Sequence, residues 1–203
     1  LLRPTAGRVI IDGTDTAKVK ASSLASKIGF LFQNPDRQIC KNTVIEELKF
    51  SLEYTVADKS KHQQMIDQTI KAFALNPDGK LFAMSRGERQ QFALASVLIS
   101  HPDILILDEP TTGLDYRECI HIMDMVKAMN QKGVTVLMVT HDMEIALDYA
   151  DRILVLHHGR VLADGTPQKI FYRQDVLSQA YLLPPQIVEL SVALEERLGR
   201  VYH

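Results

Sequence analysis

An uninterrupted apolar run that ends in two carboxylates constrains the fold more than any other feature of this 203-residue sequence. The run is Ile104-Leu105-Ile106-Leu107, and Asp108 and Glu109 follow it directly. Apolar residues without alternation are typical of a strand that is buried on both faces, as strands are in parallel sheets. Such a strand places both carboxylates at its carboxyl end, which is the edge where open α/β sheets bind ligands.

Strand-like and helix-like patterns alternate along the chain, which favours an α/β fold with a parallel core. We expect Ile28–Phe32 to form one strand and Val134–Val139 to form another that is buried on both faces. Arg8–Asp12 is a short β-branched run bounded by glycines, and it predicts a strand in a β-rich N-terminal part. His158-Gly159 predicts the turn of a hairpin.

The segment from about Pro35 to Phe82 contains no apolar strand of this kind and shows the four-residue spacing of helices, so we expect a helical insertion. The predicted organisation is a β-rich part with one core strand, a helical subdomain, an α/β core and a C-terminal extension, at residues 1–33, 34–100, 101–170 and 171–203.

The C-terminal extension is predicted to end in an amphipathic helix from about Gln186 to Leu198. One face of that helix is expected to carry Ile187, Leu190, Leu194 and Leu198. This face packs on the chain's own core or on a partner, and we expect the former.

The composition excludes several classes of protein. Hydrophobic residues make up 46% and charged residues 24% of the chain, which fits a globular protein and not a disordered one. The net charge of -2 lacks the basic excess typical of nucleic-acid binding. No apolar run approaches the ~18 residues that span a bilayer, and the two cysteines suit a reducing compartment. We therefore expect a cytoplasmic protein, and the lack of a first Met suggests a cut N-terminus.

Polar side chains follow the predicted strands at one sheet edge. Asp108 is suited to Mg²⁺, which prefers one or two carboxylates together with phosphate oxygens, and Glu109 is suited to polarising a water. His141 follows Val134–Val139 and is expected beside Glu109, within reach of a phosphate, while Gln33 could touch the metal shell. Each residue alone also fits an acidic turn or a surface loop, so their shared edge is what favours function.

A second candidate site lies at the start of a helix predicted over 85–100. Ser85 is expected to cap this helix, and Glu88 completes a capping box. A helix N-terminus also offers free N–H groups and a positive dipole end to a phosphate, and Gly87 permits close approach. A purely capping role remains the alternative.

The order and spacing of these elements resemble the ATP-binding subunit of ABC transporters. Gln33 matches the Q-loop, and Ser85-Arg86-Gly87-Glu88 matches the signature motif. Ile104–Asp108 matches the Walker B strand, and Glu109 matches its catalytic carboxylate. Gly113-Leu114-Asp115 matches the D-loop, and His141 matches the switch histidine. The resemblance implies a P-loop NTPase-like parallel sheet with N-terminal antiparallel strands and a helical insertion, and it implies ATP and Mg²⁺ as ligands.

The resemblance also implies roles for these residues. Glu109, His141 and Gln33 would be catalytic, and Asp108 and Gln33 would serve the metal. The nucleotide would be contacted by Ser85, Arg86, Gly87, Glu88 and Asp115.

Two further stretches are similar to the energy-coupling factor and cobalt-type ATPases, namely Gln33-Asn34-Pro35-Asp36 and Leu182-Leu183-Pro184-Pro185-Gln186. This similarity implies an ATP-hydrolysing subunit that drives uptake of a vitamin or a transition-metal ion. Its expected partners are a second ATPase subunit, identical or paralogous, and integral membrane subunits, with no nucleic acid. The expected location is the inner face of the cell membrane.

The sequence departs from the family pattern in two places. Arg86 and Glu88 stand where the signature usually has Gly and Gln, so Arg86 either obstructs a phosphate or supplies a cation, and Glu88 repels a phosphate unless it serves the capping box. None of the ten glycines begins a G-x-x-x-x-G-K-[ST] loop. We therefore expect the chain as given to lack its Walker A region and to be inactive, with a shortened chain favoured over a natural pseudo-enzyme.

Two other functions remain open on the sequence. One is a soluble ABC ATPase without a transport role. The other is a regulatory or structural module that keeps the fold and does not bind nucleotide.

Overall fold

Strands and helices alternate along most of the chain, as the sequence predicts. The computed structural model describes residues 4–198, and its elements are, in chain order, β1 (Ile10–Ile11), β2 (Thr14–Asp15), β3 (Ile28–Leu31), α1 (Val44–Thr55), α2 (His62–Ala72), α3 (Arg86–Leu98), β4 (Ile104–Asp108), α4 (Tyr116–Gln131), β5 (Thr135–Val139), α5 (Met143–Tyr149), β6 (Ile153–His157), β7 (Arg160–Gly165), α6 (Pro167–Phe171), α7 (Gln174–Gln179) and α8 (Gln186–Leu198). The chain forms two compact units, which meet in sequence between Val139 and Thr140.

The first unit is organised by a parallel sheet in the order β3-β4-β5. In the register of the sheet, Leu31 pairs with Leu107 and Asp108 pairs with Val139. The carboxyl ends of the three strands therefore lie at one edge. The strands β1 and β2 form a separate antiparallel pair. The predicted parallel core and N-terminal antiparallel strands are therefore confirmed.

The prediction that β4 and β5 are buried on both faces is wrong. On β4, Leu105 and Leu107 are fully buried in a cluster with Leu94 of α3 and Ile122 of α4, whereas Ile106 is only half-buried. On β5, Leu137 is 52% exposed. An unbroken apolar run has no alternation, so it cannot reveal that helices cover only one of its faces.

The predicted helical insertion contains α1 and α2, and their apolar faces form a second cluster with α3 that includes Leu48, Ile66 and Phe92. One carboxylate is buried beside it. Glu47 is 3% exposed, and its Oε2 accepts hydrogen bonds from the backbone N–H groups of Cys40, at 2.7 Å, and Lys41, at 2.6 Å. Because Oε2 accepts hydrogen bonds from two successive backbone N–H groups, the Glu47 carboxylate fixes the loop before α1.

The second unit packs a hairpin against short helices. β6 and β7 pair antiparallel across the predicted His158-Gly159 turn. A cluster containing Val155, Phe171 and Leu177 forms the core of this unit.

The predicted C-terminal helix is present as α8, but a different face packs on the core of its unit. Val188 and Val192 contact that core, while Ile187 and Leu190 are 60% and 54% exposed. The side chain of Leu198, which the sequence places on the apolar face, lies outside the described residues, as do positions 1–3 and 199–203 of the predicted terminal segments.

Within residues 4–198, no helix combines the length and the apolar content that crossing a membrane requires.

The one-sided burial of the sheet predicts the effect of truncating a core side chain. Leu105→Ala should lower the free energy of unfolding by about 2–5 kcal/mol, because it removes buried methyl groups and leaves a cavity. Chemical denaturation followed by circular dichroism measures this loss. Leu156→Ala, at a strand position that is 67% exposed, is the matched control and should cost less than about 0.5 kcal/mol. Equal losses in the two variants would contradict the assignment of the buried face.

Candidate functional site

The chain turns sharply where β4 ends. Asp108 is the last residue of β4, and Glu109 follows it with a backbone φ of +49°. This left-handed conformation is uncommon for a residue other than glycine and persists only where the surroundings impose it. Here the Glu109 N–H donates to the carbonyl oxygen of Val139 at 2.8 Å, so the end of β5 holds the turn. Both carboxylates are half-buried.

The turn after Glu109 is closed by local and distant hydrogen bonds. The Thr112 N–H donates to the Glu109 carbonyl at 3.3 Å, and the Thr112 hydroxyl donates to Glu109 Oε2 at 3.4 Å. The Nε2 of Gln90, a residue of α3 that is 1% exposed, donates to the Pro110 carbonyl at 3.2 Å. These contacts fix the direction in which the Glu109 carboxylate leaves the sheet edge.

Gln33 lies at the same edge as the two carboxylates. It follows β3 by two residues, as Glu109 follows Leu107, and Leu31 and Leu107 are paired. Gln33 is exposed, and the next turn is tied to the end of β3 through Gln38, whose Oε1 accepts from the Phe32 N–H at 3.2 Å. The structure therefore brings Gln33, Asp108 and Glu109 to one edge of the sheet.

His141 belongs to the second unit, where it is exposed two residues after β5 ends. In that unit the hydroxyl of Thr140 accepts the Asp142 N–H at 3.0 Å, and the Asp142 carboxylate caps α5. The expected position of His141 beside Glu109 stays a prediction.

The predicted capping box at Ser85 is present. The Ser85 hydroxyl accepts from the Glu88 N–H at 3.2 Å, and Glu88 Oε2 accepts from the Ser85 N–H at 2.7 Å. The hydrogen bond from the Ser85 backbone lowers the pKa of the Glu88 carboxyl, and the Ser85 side chain lowers it by a smaller amount. The carboxylate that replaces the family's Gln is therefore engaged in starting α3.

Asp115 begins α4 in the same way. Its Oδ1 accepts from the Glu118 N–H at 2.9 Å, and Glu118 Oε2 accepts from the Asp115 N–H at 2.9 Å. The residue that the resemblance assigned to the nucleotide thus also caps a helix, and its contact with a nucleotide stays a prediction.

Among residues 4–198, no group of three or more His, Cys, Asp or Glu side chains is arranged to hold a metal ion. The oxygen donors of Asp108 and Gln33 fit the case in which Mg²⁺ arrives with a nucleotide and takes most of its ligands from phosphates and water.

The polar contacts of α3 with the turn after Gln33 have no counterpart in the sequence pattern. Arg89 Nε lies 2.9 Å from Asp36 Oδ1 in the turn after Gln33. The Nε2 of Gln38 donates to the Ala93 carbonyl at 3.0 Å. Arg89 and Gln38 are ordinary surface residue types, and their partners are distant in sequence, so only the fold reveals them.

Comparison with known proteins gives a consistent result. The sequence model described as ABC transporter matches residues 1–112. A putative ABC transporter ATP-binding protein of Methanosarcina acetivorans is 39% identical over 196 residues, which are 96% of this chain and 32% of that relative. The chain spans about a third of the length of that protein and of others like it.

Two further matches cover more of the compared protein. The energy-coupling factor transporter ATP-binding protein EcfA2 of Symbiobacterium thermophilum is 37% identical over 202 residues, which are 97% of this chain and 70% of the relative. The solved structure of cbiO1 from Clostridium perfringens, part of the ABC transporter complex cbiONQ, superposes with a TM-score of 0.75 at 30% identity, and the match covers 94% of this chain and 78% of that one.

The capping box at Ser85 predicts a pH-dependent contribution to stability. Because the folded state lowers the pKa of Glu88, this carboxylate stabilises the fold above its ordinary value of 4.5, and the stabilisation is lost as the pH falls through the lowered value. Glu88→Ala should therefore be less stable than the parent at pH 7, and the difference should vanish in acid.

Urea unfolding of both proteins from pH 7 to pH 2 measures this difference. Glu53→Ala, which removes an exposed carboxylate from α1, is the control and should show a smaller gap at pH 7. A gap between Glu88→Ala and the parent that stays constant with pH would contradict the role of the charge.

Proposed function

The chain belongs to the ABC transporter family, and from that premise we propose that it is the ATP-hydrolysing subunit of an importer of the energy-coupling factor type. The observation that carries this proposal is the strained Glu109, held at the carboxyl edge of the parallel sheet directly after Asp108. A left-handed backbone at a residue other than glycine carries a conformational cost, and such residues cluster at functional sites, where they fix the direction of a side chain.

In the proposed reaction, a water molecule attacks the γ-phosphorus of ATP and ADP leaves. Glu109 accepts a hydrogen bond from that water and orients it, which a carboxylate with a fixed direction does best. Asp108 would hold Mg²⁺ together with Gln33. When bound, the metal neutralises charge on the phosphate oxygens.

His141 contacts the γ-phosphate in this proposal. Two subunits, identical or paralogous, pair head to tail, so the Ser85 and Gly87 of one face the nucleotide held by the other. The free N–H groups of the first turn of α3 and its positive dipole end favour such a contact.

The proposed transport role rests on the names of similar proteins and on the Q-loop resemblance. EcfA2 is named for energy-coupling factor transport, and cbiO1 is described as part of a transporter complex. We infer a vitamin or a transition-metal ion as the solute and a separate membrane subunit as its route. The chain would then lie against the inner face of the membrane. Motion of the helical insertion would reach the membrane partner beside Gln33.

A second candidate is a regulatory module that does not hydrolyse nucleotide. The observation that favours it is the pair of carboxylates, Glu88 and Glu118, at the start of α3, because negative charge there weakens phosphate binding. Equilibrium binding of ATP distinguishes the two candidates, since the module should show none.

Replacing the proposed catalytic carboxylate tests the main candidate. In the protein expressed from its complete reading frame, Glu109→Gln should lower ATP turnover by about 100-fold or more, because loss of a general base typically removes a factor of about 10²–10⁴. Phosphate release gives the rate, and titration with a fluorescent ATP analogue gives the affinity, which should change less than about threefold.

Glu53→Gln makes the same chemical change at an exposed position of α1 and should leave both quantities unchanged. Normal turnover by Glu109→Gln would rule out the assigned role. Loss of ATP binding together with turnover would show that Glu109 acts on the fold or on the nucleotide, and it would contradict the assignment equally.

A further inference from the structure

Arg86 packs directly on the glycine of the D-loop. A methyl group built on Gly113 would lie 2.7 Å from Nε and 3.0 Å from Cζ of Arg86. Gly113 also has a φ of +79°, which only glycine adopts without cost. A side chain at position 113 would therefore push the guanidinium away and strain the loop.

A second contact, between Gly87 and Glu118, lies beside the contact of Arg86 with Gly113. A methyl group built on Gly87, the next residue of the signature, would lie 2.3 Å from Oε1 and 2.8 Å from Oε2 of Glu118. Glu118 is fixed by its capping box with Asp115. Gly113 of the D-loop thus faces Arg86 of α3, and Gly87 of α3 faces Glu118 in the first turn of α4. The two side chains carry opposite charges.

These two contacts join the first turn of α3 to the D-loop and to the first turn of α4, which follows the D-loop directly. The hydrogen bond from Gln90, also in α3, to the Pro110 carbonyl adds a third connection three residues before Gly113. The D-loop follows Glu109 by only a few residues, and the turn between them is closed by hydrogen bonds. A shift of α3 would therefore also shift the Glu109 carboxylate.

We propose that Arg86 is a positioning residue that locks the signature turn to the D-loop, so that both segments move as one body during ATP turnover. This inference rests on the proposed ATPase function. It gives Arg86 a role that differs from obstructing a phosphate or supplying a cation to one.

The surrounding charge supports action through Gly113 and not on the nucleotide. The guanidinium lies against Gly113, and the Glu118 carboxylate lies against Gly87, the residue that follows Arg86. The phosphate contact proposed for this turn uses the Ser85 hydroxyl and backbone N–H groups, so it does not need the Arg86 guanidinium, which lies against the D-loop instead. Loss of Arg86 should therefore reduce kcat and leave the KM for ATP nearly unchanged.

The test is a double-mutant cycle in the protein expressed from its complete reading frame, in its native assembly. Arg86→Ala and Gly113→Ala should each lower kcat by roughly tenfold or more, since misplacing a catalytic group by about 1 Å can cost about 100-fold. The double variant should fall no more than about twofold below the worse single variant, because both changes break one contact. Arg86→Lys should not restore kcat, because an ammonium lacks the planar guanidinium that lies against Gly113.

Arg117→Ala removes an exposed arginine of α4 and is the matched control. Hydrogen exchange of the D-loop amides supplies a readout that does not depend on turnover. Exchange should rise in Arg86→Ala and stay at the parent level in Arg117→Ala.

Three results would overturn the proposal. The first is a double variant whose loss of kcat equals the product of the two single losses. The second is a KM for ATP that rises in Arg86→Ala and returns to the parent value in Arg86→Lys. The third is hydrogen exchange of the D-loop amides that is the same in Arg86→Ala and in the parent. A parent protein without ATP hydrolysis would instead refute the proposed function, while the exchange measurement would still decide whether Arg86 locks the two segments.

Discussion

The parallel pairing of β4 with β3 and β5 is the constraint on which the candidate site depends. Its register makes Leu31 level with Leu107 and Asp108 level with Val139. Residues that are distant in sequence thereby reach one edge of the sheet, and the Val139 carbonyl can accept the Glu109 N–H. Backbone hydrogen bonds of a sheet leave little freedom of position, so the two carboxylates are positioned more precisely than they would be on a loop.

The helix α3 connects this edge to the rest of the first unit. Its apolar side packs on the sheet and on the helical insertion, while polar residues along it hold the surrounding turns. Arg89 forms an ion pair with Asp36, and Gln90 donates a hydrogen bond to the Pro110 carbonyl. A buried amide such as that of Gln90 is costly without a partner, so its hydrogen bond specifies one arrangement of helix and turn. Movement of α3 would thus reach the turns after β3 and β4, on both sides of the candidate site.

The sequence was sufficient where local chemistry decides the structure. The Ser85 capping box, the strand that ends at Asp108 and the turn at His158-Gly159 each follow from residues close together in the chain. It was insufficient where packing decides. The exposure of Leu137 depends on which sheet face the helices cover.

The polar contacts of the site depend on the fold in the same way. The bond from Gln38 to Ala93 joins positions 55 residues apart. Such a pairing leaves no periodic signature in the chain, and neither does the contact between Arg86 and Gly113.

The central claim is that Asp108 and Glu109 form a site for hydrolysis of ATP in the presence of Mg²⁺. The most direct measurement is phosphate release by the protein expressed from its complete reading frame, titrated with ATP at several Mg²⁺ concentrations and compared with Asp108→Asn. The account predicts a rate that saturates with ATP, requires Mg²⁺ and falls at least tenfold in the variant. Hydrolysis that is absent, or that is equal in the parent and Asp108→Asn, would contradict it.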